Sequence, residues 1–160
     1  MKDTLQPPIS LLELLEPYEQ KYNWSCGSAS LLVCYRAYGI KITEDEIIKE
    51  SFTDEEGMSW QQMREHVDSM GFKPHHKKYA SYDTLLNTLV RTQSPTIVCW
   101  MSDRDGEDGA HFSVVKTMTP DSISILDPAF GDMHTMNRWA FEEKWMDQET
   151  HNAFLTILLP

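Results

Sequence analysis

Cys26 stands six residues after Gln20, in the stretch Gln20-Lys21-Tyr22-Asn23-Trp24-Ser25-Cys26-Gly27-Ser28-Ala29-Ser30-Leu31-Leu32, and it opens an apolar run. That arrangement mounts a thiol at the first turn of a helix. Backbone N–H groups without helical partners and the positive end of the helix dipole meet there, and both favour a thiolate. Further along lie Gly109-Ala110-His111-Phe112-Ser113-Val114-Val115 and Ile125-Leu126-Asp127-Pro128-Ala129-Phe130-Gly131, each placing one catalytic-type residue at a strand end. Covalent hydrolysis by a thiol needs an imidazole that pairs with the sulfur and later protonates the leaving amine, a third group that holds the imidazole, and donors for an oxyanion. Cys26 would attack, His111 would act as base and then acid, and Asp127 would hold the His111 ring. The Gln20 side-chain amide and the Cys26 backbone N–H would bind the oxyanion.

Each of these residues also has an ordinary use. A lone helical cysteine is most often a small core residue, and His111 between apolar neighbours suits a hydrogen-bonded histidine at a strand end. Asp127-Pro128 is a common turn opening. The signal lies in the combination.

Elements that would position these residues can be read from periodicity and punctuation. Gly27 to Tyr38 is apolar on most sides and stops at Gly39, which predicts a buried central helix. Thr43 with Glu46, and Ser59 with Gln62, have capping-box spacing; the first starts a short helix through about Glu50, and the second a helix with Trp60, Met63, Val67 and Met70 on one face up to Gly71. Phe72 to His76 reads as extended. Ser81 caps a helix carrying Leu85, Leu86, Leu89 and Val90, and Ser94-Pro95 ends it. From there the period changes to two. Strands are expected at 96–100, 111–116, 122–126, 132–136 and 153–159, with a helix over Arg138 to Trp145 between the last two. Helices first and an antiparallel meander afterwards make an α+β fold, with the nucleophile on a buried helix packed against an antiparallel sheet.

With 160 residues the expectation is a single domain spanning 1–160, able to bury a core without disulfides. A formal charge of -11 and the lack of any basic stripe argue against nucleic acid as a partner. No stretch is apolar enough to insert in a membrane, and residues 1–8 lack the layout of a signal peptide, so a cytoplasmic location is expected. Cys26, Cys34 and Cys99 make an odd count with no C-x-x-C pair, which indicates neither a disulfide framework nor a zinc knuckle. Cys34 lies eight residues beyond Cys26, about 12 Å along a helix, and is expected to pack. No metal and no cofactor is expected.

Gln-x5-Cys-Gly-x-Ala, then His-Phe-x-Val-Val, then Asp-Pro-Ala-x-Gly resembles the bacteriocin-processing peptidases, papain-like enzymes that cut leader peptides after a Gly-Gly pair. The likeness covers roughly Pro17 to Trp145 and includes the Tyr38-Gly39 and Gly71-Phe72 helix ends and the aromatic pair Phe141 and Trp145. It implies a papain-like peptidase fold with the nucleophile on Cys26, the base on His111, the orienting carboxylate on Asp127 and the oxyanion amide on Gln20. The implied partner is a peptide or protein with an extended cleavage segment. Exporter-linked members often carry an acidic residue before the nucleophile, where this chain has Trp24-Ser25. Two other functions remain open on the residues: a non-catalytic peptide-binding module, against which the intact Cys26, His111 and Asp127 speak, and a papain-like acyltransferase using the same triad.

A Gly-Gly substrate demands a narrow channel, because glycines can be selected only by excluding bulkier residues. Trp24 and Trp100 are candidate walls or core residues. The loop Asp103-Arg104-Asp105-Gly106-Glu107-Asp108-Gly109 alternates acidic residues but fails the EF-hand pattern, with Asp108 and Val114 where glycine and glutamate belong, so it reads as a solvated loop whose charge could attract a basic leader. His75 and His76 would point to opposite faces of a strand and count as surface residues. His66, His134 and His151 lack ligand-spaced partners.

Overall fold

The computed structural model describes residues 10–104 and 109–160. A short 3-10 helix, Leu11–Leu14, leads into an irregular strap and then α1, Cys26–Ala37. Next come α2 (Glu44–Ser51), α3 (Trp60–Ser69), β1 (Lys73–Lys77), α4 (Tyr82–Thr92), β2 (Thr96–Ser102), β3 (Gly109–Met118), β4 (Ser122–Asp127), β5 (Asp132–Asn137), α5 (Arg138–Trp145) and β6 (Phe154–Leu158).

Side chains start four of the helices. Thr43, Ser59, Ser81 and Asn137 each accept a hydrogen bond from the backbone N–H three residues on, and Ser59 with Gln62 completes the reciprocal capping box. α1 differs. Ser25 occupies its N-cap position but makes no capping bond, because the hydroxyl is drawn to Glu44 instead. The helix ends as expected at Gly39, whose φ of +79° only glycine adopts freely.

All six strands are antiparallel in the order β1-β6-β2-β3-β4-β5. β2 to β5 form the expected meander, while β6 inserts between β1 and β2. Alternation along the strands then builds two cores. Ile97, Cys99, Phe112, Val114 and Leu126 face Leu31, Val33 and Tyr35 of α1 with Ile47, Met63 and Val67 of α2 and α3. Val98, Trp100, Val115, Ile123 and Ile125 face Leu85 and Leu89 of α4 with Phe141 and Trp145 of α5. Helices therefore cover both faces of the expected antiparallel sheet. Each fully buried large apolar side chain contributes on the order of 2 kcal/mol, so both layers matter to the scaffold.

On α4 Val90 is 60% exposed, and Thr88 takes the buried place beside Leu85 and Leu89. Among the described residues no helix is long and apolar enough to cross a membrane.

Candidate active site

Cys26 is the first residue of α1 and half-buried, on the wall of a cleft of about 440 Å³. His111 also lines that cleft. It sits within β3 rather than at its end, opposite Trp100 of β2, and is only 4% exposed. Its Nε2 lies 2.6 Å from Oδ1 of Asp127, the last residue of β4. A second hydrogen bond joins its ring to the Cys26 side chain, and with Nε2 committed to Asp127 the nitrogen that meets sulfur is Nδ1. The three residues anticipated from separate motifs thus meet in one bonded row.

Burial opposes a charge on His111, yet the bonds and negative charge of Asp127 and Cys26 outweigh it and push the ring up to about 10. Burial likewise opposes ionisation of Asp127. The His111 ring, the Ala129 N–H at 3.0 Å and Arg104 nevertheless hold its carboxyl below the ordinary range.

Arg104 was not singled out in the sequence. Its Nη1 donates to Asp127 Oδ2 at 3.0 Å and to Asp132 Oδ1 at 2.8 Å, and its Nη2 donates to Asp132 Oδ2 at 2.8 Å. The guanidinium also lies 4.0 Å over the Phe130 ring. A signal existed: Asp127 and Asp132 flank the Pro128–Gly131 turn as direct register partners, and like charges placed opposite each other repel unless a cation intervenes. The acidic loop supplies that cation. Asp103 pairs with Lys144 at 3.3 Å, while Asp105 and Asp108, on which attraction of a basic leader also rests, lie outside the described residues.

Gln20 stands before α1 on the strap. Its backbone N–H donates to Pro128 O at 2.7 Å, joining it to the Asp127 turn, and Gly131 at φ +64° lets the turn close against Glu19, where a Cβ would lie 2.8 Å from the Glu19 Cβ. Gln20 Nε2 gives one hydrogen to Tyr22 O at 2.8 Å and retains a second; Oε1 is buried with no hydrogen-bond partner among the described residues.

Cleft walls come from Trp24, Met58, Trp60 and Phe112, with Glu56 and Glu149 at the rim. Trp24 stacks on Tyr22 at 4.9 Å, and Trp60 meets Phe112 edge-on at 4.9 Å. Trp100 is not a wall. It is fully buried, with its indole N–H donating to Ser113 Oγ at 2.9 Å. His75 and His76 fall on opposite faces and are both half-buried; His76 stacks on Trp60 at 4.7 Å, with Nδ1 2.6 Å from Arg64 Nη1. His66 is a core histidine between Tyr35 and Glu50, and His134 stacks on Trp100. Cys34 is buried, as its packing role required, and Cys99 reaches the cleft from beneath.

Against known proteins, the Peptidase C39 family model matches residues 16–149. No curated protein matches the sequence. The peptidase domain of Streptococcus ComA, a bifunctional ABC transporter of a quorum-sensing pathway, superposes with a TM-score of 0.74 at 20% identity, covering 91% of this chain and 99% of that one. A double glycine motif protease from an AMS/PCAT transporter, solved with its leader peptide, gives 0.68 at 17% identity over 90% and 91% of the two chains. A protein of Bacillus anthracis described as a C39-like peptidase gives 0.72 at 13% identity over 91% and 95%. The fold is the papain-like one these domains share, and the family match covers most of the chain. This protein belongs to the peptidase C39 family and is a cysteine peptidase.

Proposed function

We propose that Cys26, His111 and Asp127 form the catalytic triad, with Gln20 as oxyanion donor, and that the enzyme cuts a peptide or protein after a Gly-Gly pair in a leader or regulatory segment. The carrying observation is the His111 ring, bonded on one side to a buried carboxylate and on the other to the Cys26 sulfur.

On this reading the thiol proton of Cys26 passes to His111 Nδ1. Sulfur attacks the scissile carbonyl carbon, a C–S bond forms, and the carbonyl oxygen becomes an oxyanion held by the Cys26 backbone N–H and the free hydrogen of the Gln20 amide. Collapse expels the amine, which takes the proton from His111 Nδ1. Water then gives a proton to the same nitrogen as it attacks the thioester, and the C–S bond breaks to release the acid. Asp127 keeps Nε2 protonated throughout, so Nδ1 is the nitrogen that exchanges protons.

Specificity follows from the walls. Trp24, Met58, Trp60 and Phe112 crowd the cleft around Cys26, which suits glycines lacking side chains. The AMS/PCAT neighbour was solved with a leader peptide, and that supports a similar occupant here. The compartment is the cytoplasm, where a reducing medium preserves the three free thiols.

The test offers Gly-Gly-containing peptides to the wild type and to Cys26→Ala, with mass spectrometry locating each cut. Cleavage after the second glycine by the wild type alone is expected. Cutting that ignores the glycine pair, or persists in Cys26→Ala, overturns the reading.

A further inference from the structure

We propose that Glu44 is the positioning residue of the oxyanion strap, acting from α2 through Ser25; this rests on the reading of Gln20 as oxyanion donor. Glu44 is the first residue of α2 and 3% exposed. Its carboxylate accepts from Tyr18 Oη at 2.8 Å, from Ser25 Oγ at 2.6 Å, and from the Lys21 N–H at 3.0 and 3.2 Å. All three partners belong to the strap that carries Gln20 and ends on Cys26.

The bonds continue inward. Ser25 Oγ, donating to Glu44, accepts the Tyr22 N–H at 3.1 Å, and the Tyr22 carbonyl accepts the Gln20 amide at 2.8 Å. Glu44 therefore fixes Ser25, Ser25 fixes the Tyr22 peptide, and that peptide aims the Gln20 amide. Bonds to a buried carboxylate are short and strong. Ser25 gives up its capping role for this purpose, so the first-turn N–H groups of α1 keep no side-chain oxygen from residue 25. The structure assigns a carboxylate to the residue before the nucleophile, delivered from another helix.

Glu44→Gln, Ser25→Ala, Gln20→Ala and the double variant Gln20→Ala with Glu44→Gln are compared by peptide hydrolysis, by inhibition with a peptide aldehyde, and by alkylation of Cys26 with iodoacetamide. An aldehyde forms a tetrahedral adduct that needs the oxyanion donors, whereas alkylation does not. Glu44→Gln and Ser25→Ala are expected to lower kcat by about tenfold with KM little changed, and to weaken aldehyde binding in parallel, while alkylation stays within about twofold. The double variant should lose little beyond Gln20→Ala alone. Wild-type aldehyde affinity in both Glu44→Gln and Ser25→Ala overturns the proposal, as do losses that multiply in the double variant. Parallel loss of hydrolysis and alkylation also overturns it, since that marks general loosening. If Gln20→Ala itself leaves aldehyde affinity intact, the oxyanion reading fails first.

Discussion

Arg104 grips Asp127 from the side opposite His111: Nη1 lies 3.0 Å from Oδ2 while the imidazole lies 2.6 Å from Oδ1. The same guanidinium takes Asp132 in a two-pronged bond. One cation therefore bridges two carboxylates that the β4–β5 register sets face to face, and it leaves Asp127 one oxygen with a single direction in which to hold the ring.

Arg104→Met removes all three hydrogen bonds and leaves the facing carboxylates to repel. We expect kcat to fall about tenfold, about 1.4 kcal/mol of barrier, and unfolding free energy to fall by about 1–3 kcal/mol. Arg104→Lys keeps the charge but not the fork, so it should fall between. Steady-state kinetics and urea melts check this, and wild-type values for Arg104→Met would contradict it.

The acid–base row predicts a pH signature. Burial opposes protonation of His111, but Asp127 and Cys26 push it up to about 10. A folded value above the ordinary 6.5 gives stability that is complete below 6.5 and lost as pH rises through about 10. Asp127 is held low, so its share is present above the ordinary 3.8 and lost as pH falls through its lowered value. Activity should decline on the alkaline side near pH 10. In an NMR titration the His111 midpoint should move down in Cys26→Ala and further down in Asp127→Asn.

The three thiols should separate cleanly by reactivity. Cys26 is half-buried on the cleft, whereas burial pushes Cys99 up to about 12 and Cys34 higher still. Iodoacetamide at pH 7.5 should add one label to the folded protein, at Cys26, and three after denaturation. A second rapid label on the native protein would mean that the cleft floor opens.

Much of this arrangement was legible in the sequence because it is local. Thr43 with Glu46, Ser59 with Gln62, and Ser81 mark helix starts within one turn, and period-two runs mark the strands, so these boundaries fall within a residue or two of the structure. Gln20, Cys26, His111 and Asp127 were visible as candidates by motif. Arg104 and Glu44 were not, because their meaning depends on register and on packing between elements distant in sequence. Trp100 and Trp24 look alike as letters; strand pairing buries one, and the strap leaves the other on the cleft.

Gly27→Ala tests how tightly the cleft wall meets α1. Alanine favours a helix interior by up to about 1 kcal/mol over glycine, but its Cβ would lie 2.9 Å from the Met58 Cβ and 3.3 Å from the Phe112 ring. The Met58 Cβ cannot swing aside without its backbone, so crowding wins. A net loss of about 1–2 kcal/mol is expected, with a raised KM as the wall shifts. Urea melts and kinetics measure both.

His76 offers a test on the scaffold behind the cleft. Its Nδ1 accepts from Arg64, since a guanidinium can only donate, and its Nε2 is buried with no partner among the described residues. Burial, and then the Arg64 charge, push the ring down to about 4. The unfolded chain therefore takes up this proton first, so stability is full above 6.5 and drains as pH falls from 6.5 towards 4. His76→Gln keeps an acceptor for Arg64 and removes the titration. Urea melts at pH 7.0, 5.5 and 4.5 should show a shallower decline in the variant than in the wild type. Because Trp60 stacks on this ring and turns its edge to Phe112, the wild type should also lose peptide affinity over the same acid range, and His76→Gln should lose less.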